Sequence, residues 1–330
     1  MIKRKSCRHI WVVSILAAIS VMLTNGCSNK TKKISCNTPI LIYENNFAEP
    51  NSIDDWVMEG PGKIEWQHGK IILTPNAQQD IYNLWEQCSR RKLNAKTEYY
   101  AVIEKSIRET NPEMIQRLLD PNGIFVGGHI VCWNKKFLSE DNYIVEYDFK
   151  PLSPIGLGII FFSATSKDGQ DVLSNCLPSR DGIFKRYTNG QIRCYHISYW
   201  SNNATEGKRS TCNLRKNPGF NLLANGIDPS VKKLDYSQEP FDFKTHKIRL
   251  EKSGGRIRFT IDNQLVFDYT DNKINDIVND NGNVVKKQVD TGKILGAGRI
   301  GLRQMVDLKA EYSNFRVYNI KTMQDEKTNK

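Results

Sequence analysis

From Ile40 onward the chain is a succession of short runs in which apolar and polar residues alternate, most of them bounded by glycine, proline, asparagine or aspartate. A period of two places every second side chain on the same face of an extended strand, so each run buries one face. Many such runs in series predict an all-β fold, an antiparallel sandwich of two packed sheets. The clearest are KIEWQHGKIILTP, GGHIVCWN, NYIVEYDFKP, GIIFFSAT, THKIRLEK, RIRFTIDNQLVFDYTD, GRIGLRQM and AEYSNFRVYNI. RIRFTID and QLVFDYT read as a hairpin turning at Asn263, with Ile257, Phe259 and Ile261 pointing inward. Burying each such side chain stabilises by roughly 1.5–3 kcal/mol, so several strands hold a large sandwich without a metal.

One region breaks the pattern. Between Ala77 and Asn122, DIYNLWEQCSRRKLN and EYYAVIEKSIRETNPEMIQRLLD carry apolar spacing near 3.6 and helix-favouring composition. A helical insertion over about 77–122 is predicted, either capping one end of a cleft or decorating the sandwich. The N-terminus has Lys3, Arg4, Lys5 and Arg8, then the apolar run Ile10 to Leu23, then Thr24-Asn25-Gly26-Cys27, the order of an export signal. That run is shorter than the about 20 residues of a membrane span. Residues 1–26 therefore read as a signal peptide. Cys27 resembles the lipid-modified cysteine of bacterial lipoproteins, which makes 27–42 a lipid-anchored tether, 43–320 the sandwich and 321–330 a polar tail. The tether lacks the acidic run that resembles an outward export signal, so a periplasm-facing anchor in the outer membrane is expected.

Losing the signal peptide removes Lys3, Arg4, Lys5 and Arg8 and lowers the formal charge from +11 to +7. Export speaks against nucleic acid as the partner of this excess, which fits an acidic polysaccharide in a basic cleft, or simply a lysine-rich surface. Cys36, Cys88, Cys132, Cys176, Cys194 and Cys212 follow Cys27 with no CxxC pair and no zinc spacing. Cys132, Cys194 and Cys212 lie in strand runs and read as small buried hydrophobes. No metal ligands are assigned.

The chemistry concentrates between Ile192 and Asp228. Over 191–200, Ile192, Cys194, His196, Ser198 and Trp200 alternate onto one face, with Arg193, Tyr195, Ile197 and Tyr199 on the other. The first face reads as a wall of a binding cleft. On the next strand Thr211, Asn213 and Arg215 alternate with Cys212, Leu214 and Lys216, setting an amide beside a guanidinium as a carboxylate or sulfate requires. In GGHIVCW, His129 and Trp133 share a face as His196 and Trp200 do, so two strands would form a trough for sugars. Arg209 sits at the edge of the second strand, and Arg303 in GLRQM is either a sheet-face residue at the cleft or half of an ion pair inside the sandwich.

Together, GRIGLRQM, YSNFRVYNI, RIRFTIDNQLVFDYTD, GGHIVCW, CYHISYW and NLRKNPGFNLLANGIDP resemble a family in the concanavalin A-like lectin/glucanase superfamily, over roughly Tyr43 to Ile320. The resemblance implies a concanavalin A-like jelly-roll β-sandwich, encoded with polysaccharide-degrading loci of the pectin or ulvan type. It implies a glycan containing uronic acid, possibly sulfated, as partner, and elimination as the reaction, by a carbon-oxygen lyase or dehydratase. Calcium occurs in the superfamily as a structural ion, and no acidic cluster here specifies one.

Elimination beside a uronate needs a cation on the carboxylate, a base for the adjacent proton and an acid for the leaving oxygen. Arg215 and Asn213 suit the first task, His196 the second, and His129 or Tyr199 the third. Tyr199, three residues from His196, faces the opposite side of a regular strand and would need a bulge or strand end at Trp200. Trp133, Ser198, Trp200, Arg209, Asn213 and Arg303 are then substrate-binding. Two alternatives stay open. In a non-catalytic glycan-binding lipoprotein the same residues would only bind; a glycoside hydrolase needs two carboxylates, and only Glu146 and Asp148, about 7 Å apart by strand rise, offer them.

Overall fold

The structure, a computed structural model, describes residues 38–91, 95–203, 207–231, 243–278 and 284–320. The expected signal peptide, the lipidation at Cys27 and the tail 321–330 lie outside the described residues. In chain order the strands begin with β1 (Ile40–Asn45), β2 (Trp56–Glu59), β3 (Gly62–Gln67), β4 (Lys70–Pro75), β5 (Ile130–Asn134) and β6 (Tyr143–Pro151). Next come β7 (Gly156–Ser166), β8 (Ile192–Asn203), β9 (Gly207–Lys208), β10 (Thr211–Asn217), β11 (Asn221–Ile227) and β12 (His246–Ser253). The last are β13 (Arg256–Ile261), β14 (Gln264–Thr270), β15 (Ile274–Val278), β16 (Val284–Asp290), β17 (Arg299–Gln304) and β18 (Ala310–Asn319). Helices α1 (Gln78–Arg90) and α2 (Lys96–Thr110) lie between β4 and β5, and the short α3 (Phe184–Thr188) precedes β8.

Two eight-stranded sheets make the sandwich. The first runs β14-β13-β12-β6-β18-β4-β3 with β1 also on β18, and the second runs β11-β10-β8-β7-β17-β5-β2 with β9 on β8. Their pairings are antiparallel, as the short alternating runs require. Val145, Tyr147, Phe149, Ile248, Leu250 and Phe315 of the first sheet meet Cys132, Ile160, Phe162, Ile197, Leu214 and Leu302 of the second in one buried core. The hairpin β13–β14 turns on Asp262 and Asn263, both in the left-handed region at φ 52° and 63°. Two such residues in succession match the right-handed twist of paired strands. Ile257, Phe259 and Ile261 are fully buried, as the alternation predicts.

The insertion is helical where the 3.6 period begins. Ile81, Leu84, Tyr99, Ile103 and Ile107 form a second core with Ile115 and Leu118 of the following 3-10 turn and with Ile155, Ile183 and Val306 of the sandwich. The helices thus pack against the end of the second sheet where β5 begins and β17 ends. Among the described residues no helix is long and apolar enough to cross a membrane.

Candidate functional site

The register of the second sheet sorts the chemistry-bearing residues into two adjacent rows on the face turned away from the core. One row reads Arg215, His196, Phe161, Gly301, Trp133 across β10, β8, β7, β17 and β5. The next reads Asn213, Ser198, Ile159, Arg303, Val131 and, on β2, Glu59. Gly301 is the gap that lets the first row close: a Cβ there would stand 2.5 Å from the Trp133 ring. The indole therefore lies over the glycine and stacks on Phe161, with centroids 5.6 Å apart and planes 19° from parallel.

Both rows are covered. Tyr187 of α3 stacks on Phe161 at 5.8 Å, and its hydroxyl donates to Glu59 Oε2 at 2.7 Å. Arg180, just before α3, pairs with the same Glu59 carboxylate. Asp181 takes Arg186 and also Arg117 from the 3-10 turn after α2, which ties the cover to the helical insertion. Phe184 lies over Arg303, with the guanidinium 5.1 Å from the ring centroid. Phe220, in the turn between β10 and β11, lies 3.9 Å from the Arg215 guanidinium and meets Phe184 edge-on at 5.1 Å. The expected open cleft wall is thus a roofed face whose outermost aromatics, Phe184 and Phe220, are half-buried.

The guanidinium of Arg303 decides the electrostatics beneath that roof. The residue is 1% exposed, and its Nε and Nη2 have no hydrogen-bond partner among the described residues. Burial pushes its pKa down to about 10, offset slightly by Tyr187, so it is still charged at neutral pH. A buried unpaired charge costs several kcal/mol, so most folds exclude one. Arg303 sits on the sheet face, and among the described residues no carboxylate pairs with it. Arg215 donates from Nη1 to the Phe220 carbonyl at 3.0 Å. Arg209 donates to Ser198 Oγ at 2.8 Å and to the Thr211 carbonyl at 3.1 Å, and Asn213, in the amide orientation that satisfies its neighbours, accepts from Arg209 Nη1 at 3.2 Å.

His196 is 2% exposed, with Phe161 against it edge-on at 5.6 Å and Phe220 at 5.5 Å. Burial first, then Arg215, Arg303 and Arg209, hold its pKa well below the ordinary imidazole value. His129 is depressed in the same way, by burial and then Arg303. Both rings are neutral at physiological pH. Asn217 Nδ2 lies 2.8 Å from His196 Nδ1, and the Val306 amide donates to His129 Nδ1 at 3.1 Å.

Two expected residues are elsewhere. Trp200 does not share the face of His196: at φ +51° its backbone leaves the regular strand, and the ring turns into the inter-sheet core beside Phe149, Phe243 and His246. Its amide donates to Asp228 Oδ2 at 2.8 Å, which holds that conformation. Tyr199 also lies in the core, where Tyr147 donates to its hydroxyl at 2.9 Å and burial raises its pKa. The break comes one residue after Tyr199, too late to turn it toward His196. Glu146 and Asp148 lie on the outer face of the other sheet, the first paired with Arg249 and the second accepting from Asn314 at 2.6 Å. Cys132, Cys194 and Cys212 are buried free thiols, and burial pushes Cys194 up to about 12. Among the described residues no three His, Cys, Asp or Glu side chains could together hold a metal ion.

The residues missed from sequence are Glu59, Arg180, Phe184, Tyr187, Asn217 and Phe220. Asn217 was legible in principle, because the alternation that places Arg215 outward places it outward too.

The family model described as a domain of unknown function, DUF1961, matches residues 101–317. The uncharacterized protein YesU of Bacillus subtilis (strain 168) is 32% identical over 191 residues, which cover 58% of this chain and 77% of YesU. A crystal structure of a Bacillus subtilis protein of unknown function with a galectin-like fold is similar with a TM-score of 0.56 at 24% identity, over 85% of this chain and 96% of that one. The fold is accordingly the galectin-like, concanavalin A-like sandwich that the sequence implied.

Proposed function

We propose that this chain, which belongs to the DUF1961 family, binds a carboxylated saccharide on the roofed face of its second sheet. The observation that carries the proposal is Arg303, a buried guanidinium with two N–H groups that have no partner, and no paired carboxylate, among the described residues. Guanidinium matches carboxylate geometry in two parallel hydrogen bonds, so a uronate satisfies what the protein leaves open. Arg215 and Arg209 add positive charge, and Phe184 and Phe220 offer ring faces for a sugar. Entry requires the α3 segment or the Phe220 turn to move aside. The mature protein is, in this reading, tethered through Cys27 to the periplasmic side of the outer membrane, within reach of acidic oligosaccharides of the pectin or ulvan kind.

A second reading, elimination on the bound uronate by a lyase or dehydratase, draws on the neutrality of His196 beside these cations. The test is isothermal titration of the protein with uronate oligosaccharides, with ultraviolet absorbance and mass followed in the same mixture. Saturable binding with mass and absorbance unchanged is the expected result. A new conjugated double bond, or loss of one water, would favour elimination. No heat with any uronate oligosaccharide would sink both readings.

A further inference from the structure

We infer that Asn217 and the Val306 amide fix His196 and His129 as rings whose single proton sits on Nε2, so that both imidazoles meet an oxyanion at this site as donors. The inference rests on the carboxylate-binding reading and deepens it, because it says which ligand state the site accepts.

A neutral imidazole has one N–H and one lone pair, and the partner of one nitrogen decides the role of the other. At His129 the choice is forced. The Val306 backbone amide can only donate, so Nδ1 accepts at 3.1 Å and the proton resides on Nε2. At His196 the amide nitrogen of Asn217 faces Nδ1 at 2.8 Å and Cys194 Sγ at 3.3 Å, which gives the same tautomer. Neither Nε2 has a hydrogen-bond partner among the described residues. Arg303 contributes Nε and Nη2 without partners, and Trp133 contributes an unpartnered Nε1 on the same face. Arg303 is close enough to depress both imidazoles.

His129, His196, Arg303 and Trp133 therefore offer only N–H groups, beside which Asn217 Oδ1 and Thr211 Oγ1 are also buried without partners among the described residues. Such a set accepts an ionised carboxylate or a sulfate ester and rejects a neutral hydroxyl, which would leave the guanidinium unneutralised. It also withholds the lone pair that proton abstraction requires at His196 Nε2. Asn217 is thus a positioning residue: its amide orientation sets His196 as a donor and not a base.

The test is a long-range proton–nitrogen correlation spectrum of the uniformly labelled, full-length protein without ligand, followed by titration with a galacturonate oligosaccharide and, separately, with a sulfated oligosaccharide lacking uronate. Nε2–H patterns at both rings, shifting on addition of one of these probes, are expected, and the probe that shifts them identifies carboxylate or sulfate as the anion. An Nδ1–H pattern at His196 would overturn the inference while leaving the binding reading intact. Nε2–H patterns with no shift from either probe would instead sink the binding reading. Asn217→Asp supplies the second arm: a carboxylate draws the proton to Nδ1, which reverses the His196 pattern and lowers affinity for the anion at least tenfold. An unreversed pattern with unchanged affinity in that variant overturns the role given to Asn217.

Discussion

The outer faces of the two sheets differ in how one arginine is held. On the first sheet Arg249, Arg256 and Arg316 stand at the surface, each paired with a carboxylate from a neighbouring strand: Glu146, Asp268 and Glu44. On the second, Arg299 is likewise paired, with Asp171, whereas Arg303 is buried and faces two neutral imidazoles. Exposed pairs are screened and contribute between nothing and about 1 kcal/mol each, so they keep a surface soluble and little more. An unpaired buried charge works against stability. The first arrangement belongs to a sheet that only has to face water; the second leaves a buried charge that the proposed anion would neutralise.

That contrast is broken most directly at Arg303. Arg303→Met keeps the length of the stem and removes the charge. The variant should bind uronate oligosaccharide at least a hundredfold more weakly, yet unfold at higher denaturant concentration, by about 1–3 kcal/mol of added stability. Loss of binding together with loss of stability would show Arg303 to be a structural group, and the two sheet faces would then differ only in exposure.

Next in size is the anchor of the roof. Glu59→Gln leaves Arg180, itself 7% exposed, without its counter-charge and weakens the bond from the Tyr187 hydroxyl. Breaking one side of a largely buried pair costs about 3 kcal/mol or more, which urea denaturation resolves. If the roof alone loosens, binding becomes faster with little change in the equilibrium melt. That outcome would assign Glu59 to access and not to stability.

Acid sharpens the comparison further. His129 and His196 have native pKa values below the unfolded value of about 6.5, so under acid the unfolded chain takes up protons that the native state refuses. Their contribution is fully present above pH about 6.5 and declines below it, by up to about 1.4 kcal/mol per pH unit for each ring. Stability measured by denaturant titration from pH 7.5 to 5 should fall, and His196→Gln should flatten the slope. An unchanged slope would mean that the roofed face opens to water in solution.

How much of this was legible beforehand follows from the range of each signal. Strand alternation is local, so the sandwich, the inward set Ile257, Phe259 and Ile261, and the outward set His196, Ser198, Asn213 and Arg215 could be read directly. The helical insertion was legible for the same reason. The φ of +51° at Trp200 was not, since a single residue in the left-handed region reverses a side chain without altering the pattern around it. The roof was invisible too. Phe184, Tyr187 and Arg180 reach this face from a segment with no strand period, and only the pairing of β2 with β5 brings Glu59 within their reach. For Arg303 the sequence left two placements open, on the sheet face or in an ion pair inside the sandwich, and its burial depended on that roof.

The smallest expected effect lies on the first sheet. Glu146 pairs with Arg249, and Asp148 accepts from Asn314; these two carboxylates are the pair a hydrolase would need on that face. Both are partly exposed, so replacing them as Glu146→Gln and Asp148→Asn should cost less than about 1 kcal/mol together in denaturant melts. Uronate binding should be unchanged, because the two residues sit across the sandwich from Arg303. A large drop in affinity, or a glycan-cleaving activity lost with these carboxylates, would move the functional face to the first sheet. The arginines there would then be partners of catalytic groups and no longer surface charges, and the asymmetry between the two sheets would have to be read the other way round.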